Sequence, residues 1–280
     1  NSNYNMNQTN KARQILAHEG ITGLVRGIGR FVYWQSGIRK ARYKTGFKLH
    51  GSPVSRTIDG TAVRFHVSSW NEYARVQSLQ GERKIIADFL QSIKGDDVFF
   101  DVGANTGLYA CFAGQIIDGN IITFEPHPGN IQRLEENAEL NELDIQYHSV
   151  ALSNESGTAQ LKVAGGKGEA GAGTHALSTR DRTNSIEIEK DRGDSLIERE
   201  NIPSPTVLKI DVEGAEQQVL KGLQNSLKKD SCHTVYCEVH PNRLDDFGDS
   251  TDELHSLLEE CGFKIEIIER RSPQYFTTCP

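Results

Sequence analysis

The chain has 280 residues, 31 of them basic and 38 acidic, with 36% hydrophobic and 25% charged side chains. This is ordinary globular usage for one large domain, or a domain with an appendage, and it excludes a small disulfide scaffold; no apolar run approaches the roughly 18–20 residues of a membrane-spanning helix. The formal charge of −7 conceals a split, because residues 1–50 hold nine Lys/Arg against Glu19 alone, a balance of +8 that leaves −15 for the remainder.

The first five residues precede the sole methionine, Met6, and are expected to lie outside the fold. No charged-then-apolar pattern of a secretory signal follows. The five cysteines (Cys111, Cys232, Cys237, Cys261 and Cys279) form no CxxC pair and no zinc-type spacing, so a reducing, cytoplasmic setting is expected. Between Ile15 and Trp34, Ile21, Leu24, Val25, Ile28, Phe31 and Val32 recur at helical spacing with Arg26 and Arg30 on the other side, which predicts a basic amphipathic helix. Gly20, Gly23, Gly27 and Gly29 weaken it by about 1 kcal/mol each relative to alanine. Its two readings are peripheral contact with an anionic membrane surface through residues 11–48 and packing on the main domain or a second copy of the chain. Residues 51–76 read as short strands, so residues 1–80 form a basic N-terminal extension, helical and then β, ahead of a domain at 81–280.

From Glu82 onward, strands alternate with helices. Strands are predicted at Val98–Val102, Ile121–Phe124, Ile145–Val150, Val207–Val212, Val235–Val239 and Lys264–Ile268. Helices are predicted after Gly107, at Pro128–Asn141, Ala215–Leu220 and Asp252–Glu260. Alternation of this kind implies an α/β fold, a parallel sheet with helices on both faces whose ligand lies beyond the carboxyl ends of the strands. One interval breaks the rhythm. The glycine-rich run Ala164–Gly173 is flanked by strand-like Thr158–Val163 and Ser185–Glu189, as if a hairpin carried a flexible insertion around 164–184, either a plain loop or a lid.

The turn Asp101-Val102-Gly103-Ala104-Asn105-Thr106-Gly107 puts an acid at a strand end, then a tight glycine turn, then a helix start. It lacks the full GxGxxG, since Asn105 stands at the second glycine. A nicotinamide-dependent oxidoreductase, which shares the fold class, is disfavoured by that departure. Asp101 points a carboxylate where a dinucleotide would bring a pyrophosphate, which suits a ligand with an ammonium. Glu125, after the second strand, is positioned to accept ribose hydroxyls. An ammonium near one acid and a ribose near the other describe S-adenosyl-L-methionine.

With these residues in view, the chain resembles the FkbM family of S-adenosylmethionine-dependent methyltransferases. The matching pieces are Asp101 to Gly107, Phe124-Glu125-Pro126-His127-Pro128-Gly129-Asn130, Val150-Ala151-Leu152-Ser153, Lys209-Ile210-Asp211-Val212-Glu213-Gly214-Ala215-Glu216 and Glu238-Val239-His240, across about residues 81–270. The resemblance implies a Rossmann-like class I methyltransferase: a three-layer sandwich on a mostly parallel seven-stranded sheet with one antiparallel edge strand, the last strand lying in Gln274–Thr278. It implies O-methyl transfer to a hydroxyl or carboxylate of a glycan, sugar or related metabolite, which includes lipid-linked acceptors. Carried over residue by residue, Asp101, Gly103, Ala104, Asn105 and Gly107 hold the methionine portion, Glu125 with Pro126 the ribose, and Val150 with Ala151 the adenine edge. Asp211 sits beside the sulfonium and the acceptor.

A hydroxyl acceptor must lose a proton as it attacks, and Asp211, Glu238 and His240 are the candidate catalytic residues. A carboxylate acceptor is already ionised at pH 7 and needs no base. Asp211, Glu213 and Glu238 are also hard oxygen donors, although no metal is expected. Nucleic acid is not an expected partner for a domain carrying −15. A non-catalytic cofactor-binding scaffold at a membrane surface is the remaining alternative, and a homo-oligomer is left open.

Overall fold

The computed structural model describes residues 37–163, 176–177, 185–271 and 274–279. The amphipathic stretch at 15–34 and the glycine run at 164–173 lie outside the described residues. The chain divides into two compact units, residues 1–51 and 52–280. In the first, α1 (Gly37–His50) has no acid in its first turn and carries Lys48 in its last, a cation placed favourably at a helix C-terminus. No described helix is long and apolar enough to cross a membrane.

The division after Gly51 differs from the boundary expected at residue 80. The hairpin β1 (Val54–Ile58) and β2 (Thr61–Phe65) belongs to the second unit because Ile58, Val63 and Phe65 are buried in one core with Ile85, Phe89 and Phe112. The end of the 51–76 stretch, read throughout as short strands, is instead a helix, α2 (Trp70–Ser78). Ser69 caps it: its Oγ accepts the Glu72 amide at 3.2 Å while Glu72 Oε2 accepts the Ser68 amide at 2.5 Å. This is a variant of the Ser-x-x-Glu capping box. Leu79, left-handed at φ 48, ends the helix, and α3 (Arg83–Ser92) follows.

The alternating region then runs β3 (Phe99–Val102), α4 (Leu108–Ala113), β4 (Ile121–Phe124), α5 (Pro128–Leu140), β5 (Ile145–His148), β6 (Ala151–Ser153), β7 (Gly157–Lys162), β8 (Ala176–Leu177), β9 (Ser185–Arg192) and α6 (Gly193–Glu200). It continues with β10 (Val207–Ile210), α7 (Glu216–Gly222), α8 (Gln224–Leu227), β11 (Thr234–Val239), α9 (Pro241–Leu244), α10 (Thr251–Glu260), β12 (Glu266–Arg271) and β13 (Gln274–Cys279). Five strands, β5, β4, β3, β10 and β11, form a parallel centre. Antiparallel β13 and then β12 continue beyond β11, giving the order β12-β13-β11-β10-β3-β4-β5, so the last strand is antiparallel as expected but is inserted between β11 and β12 instead of lying at the edge, because β12 and β13 form a hairpin whose second strand pairs with β11.

The central strands are apolar on both faces because helices cover both. Phe99, Ile121, Val207 and Tyr236 point to one side, where they meet α3, α4 and α5. Their neighbours Phe100, Ile122, Leu208 and Val235 point to the other, against α6, α7 and α10. This is the near-continuous hydrophobic run of a sheet buried on both sides, and each fully buried large side chain contributes about 2–3 kcal/mol of transfer energy. Phe89 of α3 seals the first face, edge-on to Tyr109 and Tyr236 with ring centroids 5.5 Å apart in each case.

The strand expected at Ile145–Val150 stops at His148. The Val150 amide turns back to the His148 carbonyl at 2.9 Å, and β6 leaves for a second, four-stranded sheet ordered β6-β9-β7-β8. The two strands predicted to flank the insertion are β7 and β9, and they pair antiparallel. Gly222 lets α7 pack against this sheet, since a Cβ there would lie 1.9 Å from the Ser153 carbonyl. The second sheet thus stands at the carboxyl edge of the first.

Candidate active site

The carboxyl ends of β3, β4 and β10 open into one cleft of about 980 Å³, counting space continuous with solvent. Its floor is the turn after β3. Gly103 adopts φ +75, and a Cβ there would fall 2.0 Å from the Asp211 carbonyl oxygen. Two residues on, Asn105 is left-handed at φ 53, a region asparagine tolerates better than other non-glycine residues. The turn therefore keeps a glycine-like shape although the second glycine of the nucleotide fingerprint is missing.

Glu125, at the end of β4, locks this turn. Its Oε2 accepts the Asn105 amide at 2.8 Å, and its Oε1 accepts the His127 amide at 2.9 Å and Asn130 Nδ2 at 3.2 Å. Burial raises the Glu125 pKa, and these hydrogen bonds oppose the rise. Three of roughly four lone-pair positions are taken, which leaves one. Val102, Phe124, Ala151, Leu152 and Leu161 supply apolar wall, the last three from the second sheet.

Of the residues expected from sequence, Gly103, Ala104, Asn105, Glu125, Pro126, Ala151 and Asp211 line the cleft. Asp101, Gly107, Val150, Glu238 and His240 do not, and each has a physical reason. Asp101 has no exposed surface: its Oδ2 accepts the Ala110 amide at 3.1 Å, and its Oδ1 lies 3.2 Å from Lys209 Nζ. Its carboxylate joins α4 to β10 behind the cleft. Gly107 is the left-handed residue before α4, packed on Leu134. Val150 is turned into the core between β5 and β6, and Glu238 is buried within β11.

His240 requires the largest correction. It is 2% exposed, with Nδ1 at 2.6 Å from Glu216 Oε1 and Nε2 at 3.3 Å from Glu213 Oε2 and 3.9 Å from Glu238 Oε1. Burial alone would lower its pKa, but the hydrogen bond to Glu216 and the charges of Glu216, Asp211 and Glu213 overcome this and push it up to about 9. These surroundings favour the imidazolium at neutral pH, which argues against His240 as a proton acceptor. The acids whose donor atoms converge with it are Asp211 and Glu213, all within 4.8 Å, rather than the Asp211, Glu213 and Glu238 set considered from sequence. Arg243 Nη1 also binds Glu213 Oε2. This cluster hangs on the strained turn after β10, where Glu213 is left-handed at φ 57 and Gly214 has φ 114.

Three charged cleft residues were missed from sequence as site residues. Lys209 Nζ donates to the Gly103 carbonyl at 3.0 Å and lies 3.8 Å from Asp211 Oδ2 and 5.3 Å from the centre of the Tyr109 ring. Burial lowers its pKa, but the charges of Asp101, Asp211 and Glu82 outweigh that and hold it cationic. Glu82, 5% exposed, lies between α2 and α3 and faces the same space. Arg75 projects from α2 and also borders an adjoining pocket of about 400 Å³. The Ser69-x-x-Glu72 spacing was the available signal for α2. Nothing in the local sequence marks Glu82 or Arg75 as cleft residues, because the hairpin fold-back brings them there.

A glycine turn after the first strand, an acid after the second and an open carboxyl edge define a nucleoside-binding α/β protein of the class I methyltransferase type. Residues 101–265 match the methyltransferase FkbM domain, so the chain belongs to the FkbM methyltransferase family. It is 34% identical over 225 residues to hexuronic acid methyltransferase AglP of Haloferax volcanii, covering 80% of this chain and 87% of that protein. It is 27% identical to 31-O-demethyl-FK506 methyltransferase FkbM of Streptomyces tacrolimicus, covering 62% of this chain and 75% of that one. Among solved structures, methyltransferase FkbM from Methylobacillus flagellatus superposes with a TM-score of 0.47 at 13% identity, covering 76% of this chain and 56% of that chain. The protein is a methyltransferase, and its cofactor is S-adenosylmethionine.

The cleft fits that cofactor. Asn105 Oδ1 is buried without a hydrogen-bond partner among the described residues, Glu125 keeps an accepting position, and the Gly103 cradle would be filled by any Cβ. A buried acceptor left unmade costs about 1–3 kcal/mol, which a ligand donor at Asn105 would recover.

Proposed function

We propose that the chain methylates the carboxylate of a hexuronic-acid-type sugar or glycan. Arg75 carries this reading: a guanidinium on the cleft wall, shared with the adjoining pocket, suits bidentate capture of a carboxylate. Burial draws its pKa down, while the charges of Asp211, Glu82, Glu213 and Glu72 oppose this. The similarity to a hexuronic acid methyltransferase supports the same acceptor class. S-adenosylmethionine supplies a methyl group on a sulfonium sulfur, and transfer breaks that S–C bond as a C–O bond forms to the acceptor. Residues of the chain then act mainly by alignment in a water-poor cleft. No base is required for a carboxylate, consistent with a protonated His240. A hydroxyl acceptor is the second reading, favoured by Asp211, whose partly exposed carboxylate lines the cleft.

Purified protein with methyl-labelled cofactor and a glucuronate-containing oligosaccharide should give label that mild alkali releases, as an ester must. Alkali-stable label on the neutral counterpart would overturn the carboxylate reading in favour of the hydroxyl. Arg75→Gln should raise the uronate KM about 10–100-fold, the loss of a charge-assisted contact, with cofactor affinity unchanged.

Glu125 and Asn105 are assigned to the ribose and methionine portions, and Ala151 with Leu152 to the adenine. Glu125→Gln puts an amide donor among the three N–H groups that Glu125 now accepts. Calorimetry should find S-adenosylhomocysteine bound about 10–100-fold more weakly; affinity within twofold of wild type would remove Glu125 from the site.

A further inference from the structure

The first unit carries a charge pattern that methyl transfer does not use. Along α1, Arg39, Lys40, Arg42, Lys44 and Lys48 occur without a single acid. Lys40, Lys44 and Lys48 recur every fourth residue, so they form one stripe on the helix surface, and all three are exposed. Ala41 and Thr45, small and exposed, lie beside the stripe and separate it from Arg42 and Leu49. Leu49 is 76% exposed. The partly buried residues of α1, Tyr43, Gly46 and Phe47, fall on the other side of the helix. A lysine that keeps a contact within the chain still adds its charge to the local field.

Overall charge cannot draw this protein to an anionic partner. The chain carries −7 and its residues 51–280 carry −15, so attraction has to come from the basic segment at close range. Salt near 0.1 M screens exposed charges beyond about 10 Å, which leaves the nearest cations to dominate at contact. Clusters of about four to eight Lys/Arg on a helix suit anionic lipid headgroups, each cation adding roughly fivefold to surface affinity. Nucleic acid also attracts cations, but α1 has no Asn or Gln to read base edges, and its stripe presents the point charges of lysine rather than planar arginine forks. Leu49 separates the two partners. Its apolar surface gains nothing from a phosphate backbone, whereas the boundary between headgroups and acyl chains removes it from water. With 14 residues and five Lys/Arg, α1 is too short and too charged to span a bilayer.

We propose that α1 docks on the anionic surface of a lipid bilayer. The helix lies along the surface with Ala41 and Thr45 towards the headgroups, the lysine stripe on one flank, and Arg42 and Leu49 on the other. The assignment uses the first unit alone and is independent of the methyl acceptor.

Co-sedimentation of the full chain with mixed phosphatidylcholine–phosphatidylglycerol vesicles tests it, with phosphatidylcholine vesicles as the neutral comparison. In about 0.1 M salt, wild type should prefer the anionic vesicles about 100-fold or more. About 1 M salt, where the screening length falls to about 3 Å, should remove the preference. Lys40→Gln/Lys44→Gln/Lys48→Gln should bind the anionic vesicles about 100-fold more weakly, the product of three such cations. Glutamine matches lysine in helix propensity, and Lys40→Arg/Lys44→Arg/Lys48→Arg should bind like wild type, which guards against an effect of misfolding. Leu49→Ser should weaken vesicle binding about tenfold and leave its salt dependence unchanged. Every variant should bind S-adenosylhomocysteine as wild type does. Equal sedimentation of wild type with both kinds of vesicle, or of wild type and the Gln variant with the anionic ones, would overturn the proposal. Binding of wild type to duplex DNA but not to vesicles would overturn it in favour of nucleic acid. A dimer that the Gln variant loses, without vesicle binding, would overturn it in favour of a second copy of the chain.

Discussion

Gly103→Ala should abolish measurable S-adenosylhomocysteine binding, a loss exceeding 100-fold by calorimetry, and should lower the Tm. A Cβ at this position would lie 2.0 Å from the Asp211 carbonyl oxygen and 2.9 Å from its carbonyl carbon. Neither atom can step aside. Val102 pairs with Ile210 in the parallel register, and the Asp211 amide donates to the Val102 carbonyl at 3.0 Å, so the turn and the start of the Asp211 loop are fixed to each other. Relief must come from rotating the turn, which moves the Gly103 carbonyl off Lys209 and the Asn105 amide off Glu125. The left-handed φ of +75 adds the usual strain for an L side chain, about 1–2 kcal/mol. Gly119→Ala is the matched control, with φ +80 and nothing within 4 Å of its Cβ. It carries the same backbone strain without a clash, and it should lose stability while binding normally. Binding by Gly103→Ala within threefold of wild type would mean that the turn does not form the floor of the site.

The turn shows why part of this site was legible from sequence. Asp101, Gly103 and Asn105 lie within one short loop, and their relation to strand and helix follows from local pattern. The same holds for Glu125 at the end of an apolar strand. Position along the chain, however, does not fix which way a side chain points. Asp101 alternates away from the cleft because β3 is buried on both faces, and its direction depended on Lys209, which stands beside it across the β3–β10 pair. Lys209 itself stood only at the start of the family-matching block Lys209 to Glu216, with no role attached to it.

Sequence distance hid the rest. Arg75 and Glu82 reach the cleft because the β1–β2 hairpin buries Phe65 against Phe112 and carries α2 to the carboxyl edge of the sheet. A boundary drawn at residue 80 cuts through that arrangement. The expected strand through Val150 failed for a related reason. Apolar Val150 continues the strand pattern, yet it packs in the core while the chain turns into a second sheet, and only Ala151 and Leu152 reach the cleft. His240 was named as a candidate base, a role that suits an isolated imidazole with its ordinary titration near neutrality. Folding surrounds it with carboxylates from two strand ends and one helix.

That surrounding makes His240 the source of a pH-dependent stability. The groups facing it are Glu216, Glu213, Glu238 and Asp211, with Arg243 on the far side of Glu213. Its folded pKa of about 9 stands above the unfolded value of about 6.5, so the folded state binds the proton more tightly. The resulting stabilisation is fully present below pH 6.5 and is lost as pH rises through 9. A separation of this size corresponds to roughly 3 kcal/mol. Urea unfolding midpoints of wild type should therefore fall between pH 6.5 and 9.5. His240→Gln removes the cation and leaves Glu216 and Glu213 facing a neutral amide, so it should be less stable than wild type by about 3 kcal/mol near pH 6.5. The difference should shrink as pH rises, because wild type loses its proton and the variant has none to lose. A stability difference that stays constant from pH 6.5 to 9.5 would mean that His240 is neutral in the folded protein, and it would restore this residue as a candidate base for a hydroxyl acceptor.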